Sequence, residues 1–165
     1  MSECVSHGFI IEIEHKPARI FAGVSRFVKL NGKDIFEFLN ELNGDGRLSA
    51  LEGAFGQVWV GLSGNEGKND ADCRCTVCVE AEADRVREVI PTASLYRLCA
   101  VESDWAIFHV APEQSPKRLH EIGVYNMIAQ IGYRFNWRVG FHLDNEHEWS
   151  RGQGMTFMLP VEKAE

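Results

Sequence analysis

The feature that most limits what this chain can fold into is an order of elements that occurs twice. Phe9 to Ile13, with Glu12 and Glu14 alternating against apolar residues, has the period-2 pattern of a strand with one wet face. Pro17 separates it from the apolar stretch Ile20 to Val24. NGKDIFEFLNELNG then places Ile35, Phe38, Leu39 and Leu42 at i, i+3, i+4 and i+7, which predicts an amphipathic helix with Asn31 as its cap and Gly44 as its stop. GQVWVGLSG and the alternating CRCTVCVEA follow as two strands, separated by the polar turn GNEGKND.

The second half runs the same way. WAIFHV reads as a strand and KRLHEIGVYNMIAQIGY as a longer helix, with one stripe at Leu119, Ile122, Asn126 and Ala129 and a neighbouring one at Val124, Ile128 and Ile131. RVGFHLD and MTFMLPV are strands on either side of NEHEWSRGQG. Phe21 to Trp59 is 38 positions and Trp105 to Phe141 is 36, so the helix and its connections have nearly equal length in each half. The expected fold is α+β, a duplicated β-α-β-β repeat with pseudo-twofold symmetry and an antiparallel sheet with helices. The first repeat spans 8–83 and the second 97–162, in one domain covering 1–165. Strands are expected near 9–28, 57–63, 73–82, 104–110, 138–144 and 155–161, and helices near 33–43 and 117–132. A copy of roughly 70 residues is marginal alone, so the two are expected to pack together with a ligand cleft between them.

Composition excludes several classes. Seventeen Lys plus Arg against 24 Asp plus Glu leave a formal charge of -7, which disfavours an extended phosphate-binding surface and direct nucleic-acid binding. The start MSECVSHGFIIEIEHK has an acidic Glu3 and a three-residue apolar run, so neither a signal peptide nor a spanning helix is expected. With five Cys, an odd number, a disulfide scaffold is not required and the cytoplasm is the expected location.

The chemistry-bearing residues favour binding over turnover. No G-x-S-x-G is present, and GNEGKND lacks the Walker spacing and the Lys-Ser/Thr pair. Three thiols fall within CRCTVC, yet alternation along a strand sends Cys78 away from Cys73 and Cys75, so zinc is not expected. The segment from His142 to His147 offers metal-like side chains without a recognised ligand spacing, and neither a metal nor another cofactor is predicted. The four Trp, at 59, 105, 137 and 149, are the most suggestive group, because aromatic faces hold flat apolar ligands and attract cations. Trp59 and Trp105 read either as pocket walls or as ordinary core. His142 shares a strand face with Asp144 and reads either as a polar ligand contact or as a satisfied structural histidine.

Five segments carry a resemblance to a known family: IEIEHKPARIFAGV, GQVWVGLSG, WAIFHVAP, IGYRFNWRVGFHLD and the terminal MLPVEK. Over roughly residues 9–163 the chain resembles the GyrI-like small-molecule-binding domain, the effector-binding module also appended to AraC-type and MerR-type transcription regulators. The resemblance implies the duplicated fold and a hydrophobic cleft for drug-like molecules. The family's aromatic-acidic-aliphatic-Tyr strand corresponds here to Phe141-His142-Leu143-Asp144, with His142 where the acid usually stands and Asp144 where the Tyr does. Trp105 falls where the family often has Tyr.

The expected function is therefore a stand-alone effector-binding or drug-binding protein that holds a hydrophobic or cationic aromatic small molecule. Trp59, Trp105, Tyr125, His142 and Asp144 are the expected ligand contacts, and no residue is assigned a catalytic role. The resemblance also admits a hydrolase of the cyclopropyl type acting on electrophilic natural products, and a gyrase-inhibitor-like interaction module. A protein partner or a homodimer stays open, and no membrane association is expected.

Overall fold

The computed structural model describes residues 2–29, 32–64, 72–92 and 95–165, so the cap expected at Asn31 and most of the turn GNEGKND lie outside the described residues. In chain order the elements are β1 (Ser2–Ser6), β2 (Phe9–Lys16), β3 (Arg19–Lys29), α1 (Gly32–Gly44), α2 (Arg47–Phe55), β4 (Trp59–Ser63), β5 (Asp72–Val79), α3 (Ala83–Val89) and β6 (Leu95–Ala100). They continue with β7 (Ser103–Val110), α4 (Pro116–Ile122), α5 (Val124–Gln130), β8 (Tyr133–Phe135), β9 (Phe141–Asp144), α6 (Glu146–Trp149) and β10 (Met155–Lys163). The protein is α+β, as expected, and its strand pairs are antiparallel. Among the described residues no helix is long and apolar enough to cross a membrane.

The chain divides into two compact units, Arg19–Ala100 and Met1–Ala18 with Val101–Glu165. In the first of these the strand order is β4-β5-β3-β6. One sheet face carries Ala22, Val24, Val28, Val60, Cys73, Cys75, Val77 and Val79, and the apolar stripe Phe38, Leu39 and Leu42 of α1 packs on it together with Leu48 and Leu51 of α2. Alternation sends Cys78 to the other face, where its register partners are Gly23 and Trp59. At Gly23 the backbones of β3 and β5 approach so closely that a Cβ would lie 1.9 Å from the Val77 carbonyl oxygen and 2.6 Å from the Cys78 Cα. Only a residue without a side chain fits there.

In the other unit the order is β1-β2-β7-β10-β9, and β8 also pairs with β10. Phe9, Ile11, Ile13, Phe108, Phe157 and Leu159 form one face, covered by Leu119 of α4 and Val124, Met127 and Ile128 of α5. The single long helix expected over 117–132 is two helices, because Gly123 adopts φ 91° between them. That break resets the helical phase. Met127 is fully buried while Asn126 and Ala129 of the expected stripe are exposed.

Other departures have similar local causes. Pro17 divides the strand expected over 9–28 into β2 and β3. The residues before β9 form a turn instead of extending the strand, since Asn136 accepts the Arg138 N–H on its side-chain oxygen and the Val139 N–H on its carbonyl. The short elements α2, α3, β1, β6 and β8 have no counterpart among the expected ones, and α6 stands within the expected polar turn NEHEWSRGQG. Gly23→Ala is expected to destabilise the protein by about 1–3 kcal/mol, read as a lower midpoint in denaturant unfolding, because its neighbours in the clash are backbone atoms that cannot swing aside.

Candidate functional site

Strand alternation gives the β2-β7-β10-β9 sheet two chemically different faces. In antiparallel pairs, residues directly opposite each other share a face. Phe157 is opposite Asp144 on β9 and Phe108 on β7, so Asp144, and His142 two residues earlier, belong to the face covered by α4 and α5. Met158 is opposite Leu143 and Ile107, which places Phe141, Leu143, Ile107 and Trp105 on the other face.

On the helix-covered face a polar cluster surrounds the Phe157 ring. The ring centroids of His142 and His120 lie 4.7 Å and 6.1 Å from it. The Nε2 atom of His120, from α4, is 3.1 Å from the Glu146 carboxylate, while the Glu146 backbone N–H donates to Asp144 Oδ1 at 3.1 Å. Each group is tuned by its surroundings. Burial pushes the His142 imidazole down to about 4, and the charge of His120 pushes the same way. Burial pushes the Asp144 carboxyl up to about 7 against the opposing pull of the Glu146 N–H. His120 is raised by its hydrogen bond to Glu146, with burial working against it. Two half-buried groups with such displaced titrations are the kind of pair found at functional sites.

The opposite face is apolar and equally buried. Trp105, Ile107, Phe141, Leu143 and Met158 are all largely hidden from solvent, although none belongs to the core under α4 and α5. The Trp105 and Phe141 rings meet edge to face at 6.2 Å. Carboxylates enter this face from β2: Glu14 is the register partner of Trp105, and Glu12 that of Ile107. Lys16 lies 3.2 Å from Glu14, and His109 Nε2 lies 2.6 Å from Glu12.

The residues singled out from the sequence are therefore distributed. His142 and Asp144 share one face of β9, whereas Trp105 is on the opposite face of the same sheet with Phe141 as its aromatic neighbour. Tyr125, half-exposed on α5, stands against Phe135 at 5.8 Å, and burial raises its phenol. Trp59 stands on β4 of the other unit, on the side of Cys78 and Gly23. Sequence reasoning missed His120 and Glu146 as neighbours of His142 and Asp144. The segment running from His142 to His147 held part of that signal, but the contribution of α4 needed the tertiary structure. Among the described residues no group of three or more His, Cys, Asp or Glu side chains is placed to hold a metal ion.

No family model matches the sequence, and no curated protein matches it. Solved structures do. The protein SAV2435 bound to tetraphenylphosphonium is similar with a TM-score of 0.66 at 12% identity, over 92% of this chain and 93% of that one. The C-terminal domain of EcmrR has a TM-score of 0.57 at 10% identity, over 94% of this chain and 99% of that domain. A hydrolase from Listeria innocua has a TM-score of 0.52 at 14% identity, over 92% and 91%. The chain has the GyrI-like fold that these structures share.

The displaced titration of Asp144 sets a sign for stability against pH. Its folded value lies above the ordinary 3.8, so between about pH 4 and 7 the folded protein holds a proton that the unfolded chain has lost, and stability contributed by this residue falls as pH rises through that window. Asp144→Asn keeps an acceptor for the Glu146 N–H and removes the titration. Its stability relative to the parent protein is expected to improve with rising pH across that window, by about 1–2 kcal/mol at pH 7 once partial solvent screening is allowed for, as read by denaturant unfolding at several pH values.

Proposed function

We propose that this protein binds a hydrophobic, cationic aromatic small molecule, to sequester it or to sense it. The observation that carries the reading is the pairing, on one face of β2, β7 and β9, of the Trp105 and Phe141 rings with the Glu14 carboxylate as register partner of Trp105. Aromatic edges and faces supply apolar area and attract cations, and a carboxylate in a partly dry setting adds a charge that water screens poorly. The fold supports the same reading, since SAV2435, which is similar to this chain, is bound to tetraphenylphosphonium. His142 and Asp144, on the other sheet face, are not needed for this ligand.

Turnover is the second reading, favoured by one observation. A carboxyl raised to about 7 can hold and deliver a proton near neutral pH, and Asp144 is such a group. It would act on the helix-covered face, with His120 and His142 as its neighbours.

Tetraphenylphosphonium is the probe for the first reading. Trp105→Ala is expected to weaken its binding by about 2 kcal/mol, roughly thirtyfold, in calorimetry. Trp137→Ala, which removes a side chain that is 74% exposed, is expected to change binding little. Glu14→Gln should weaken the phosphonium complex and leave binding of a neutral aromatic compound unchanged. Each variant must keep a cooperative unfolding transition. Equal affinities for the Trp105 and Trp137 variants would remove the case for this face.

A further inference from the structure

In the unit Arg19–Ala100, on the sheet face opposite α1 and α2, alternation sets Ser25 and Phe27 of β3 beside Arg74 and Thr76 of β5 and Tyr96 of β6. Arg74 is the register partner of Phe27, and Thr76 that of Ser25. The Arg74 guanidinium is held from three directions. Its central carbon stands 4.3 Å from the Phe27 ring centroid and 4.0 Å from that of Tyr96, and Nη1 donates to Ser25 Oγ at 2.9 Å. Contact with ring faces positions a guanidinium while leaving its remaining N–H groups for other partners.

What this cation lacks is an acceptor of opposite charge. Arg26, Arg47, Arg87 and Arg97 of the same unit each have a carboxylate partner, whereas among the described residues no ion pair forms at Arg74. Its Nε is buried without a hydrogen-bond partner, and so is the hydroxyl of Thr76, a residue with no exposed surface. Ser25 Oγ accepts from Arg74, so its own hydrogen also remains to be donated. An anion would meet several donors at once, one of them charged. Phe27, 54% exposed, adds apolar surface beside them. The net charge of -7 opposes anions at long range, but charges more than about 8–10 Å away are largely screened at physiological salt, so the nearby guanidinium decides.

We propose that Arg74 and Ser25 bind the carboxylate of small aromatic acids, with the exposed Phe27 ring against the body of the ligand. The site is independent of the Trp105 reading, because residues of the other unit form it. It also selects the opposite charge.

3-Phenylpropionate, its neutral amide and acetate separate charge from apolar contact. The experiment titrates each into the full chain, with backbone amide signals followed by NMR and affinity by calorimetry. The aromatic acid is expected to shift the signals of residues 25–27 and 74–76 saturably, while the amide and acetate should bind at least about tenfold more weakly. Arg74→Gln should weaken the acid about tenfold or more, and Arg74→Lys nearly as much, since lysine keeps the charge but not the planar fork of donors. Ser25→Ala, at a half-buried position, should weaken it about threefold and serves if the Arg74 variants do not fold. Shifts confined to other residues, equal binding of the acid and its amide, or an affinity unchanged in the folded variants would overturn the proposal. Failure of the Trp105 reading would show differently, as tetraphenylphosphonium binding that is insensitive to Trp105→Ala.

Discussion

Burial on both faces of the same strands is the constraint on which the rest of this structure depends. β7 shows it most directly: Phe108 faces the core under α4 and α5, while Trp105 and Ile107 on the alternate positions are also hidden. A sheet with one wet face would carry polar residues at every second position, and β7 instead reads as a nearly continuous apolar run. Polar groups that enter such a face must arrive with partners, because an unpaired buried charge costs several kcal/mol. Glu12 arrives with His109 and Glu14 with Lys16.

Two buried asparagines hold the short strand β9 in the register that separates the two faces. Asn136 takes its backbone hydrogen bond from N–H to the Pro160 carbonyl of β10, donates its side-chain amide to Ser103 Oγ at 3.0 Å and accepts the Arg138 N–H. Asn145, at the other end, exchanges with Thr156: it accepts the Thr156 N–H at 2.6 Å and donates its own N–H to the Thr156 carbonyl at 3.2 Å, while its amide reaches Glu148. An apolar residue at either position would remove the side-chain acceptor of the Arg138 N–H or of the Thr156 N–H. A register shift of one residue would exchange Phe141 and Leu143 with His142 and Asp144, placing ionisable groups among the aromatic rings. The asparagines are therefore tied to the chemistry of both faces, although neither lies in a candidate site.

Much of the fold was legible because strong periodicity survives tertiary packing. Phe38, Leu39 and Leu42 are buried on α1 as their spacing requires, and the alternation in CRCTVC does divide Cys73 and Cys75 from Cys78. The signal failed where a local backbone feature outweighed it. Gly123 could be read as a tolerated glycine within a long helix, but its positive φ ends one helix and starts another in a new phase. α3 is seven residues long and buries only Val86 fully, too short a run for periodicity to separate from a loop. The site was less legible than the fold. Alternation correctly placed His142 with Asp144, but no pattern within one strand could show that Phe157 of β10 and His120 of α4 complete their surroundings.

The two faces also divide the charge. On the helix-covered face His142 is pushed down and Asp144 up, so near neutral pH the imidazole is uncharged and the carboxyl is held partly protonated. Burial moves both residues toward their neutral forms, and the His120 ring nearby is hydrogen-bonded to the Glu146 carboxylate. The opposite face receives Glu12 and Glu14 from β2 beside aromatic and aliphatic side chains, and only one of those carboxylates is accompanied by a lysine. Negative charge and apolar area thus coincide on the face of Trp105, while the displaced carboxyl of Asp144 stands on the other. Strand alternation alone keeps these two environments a single sheet thickness apart.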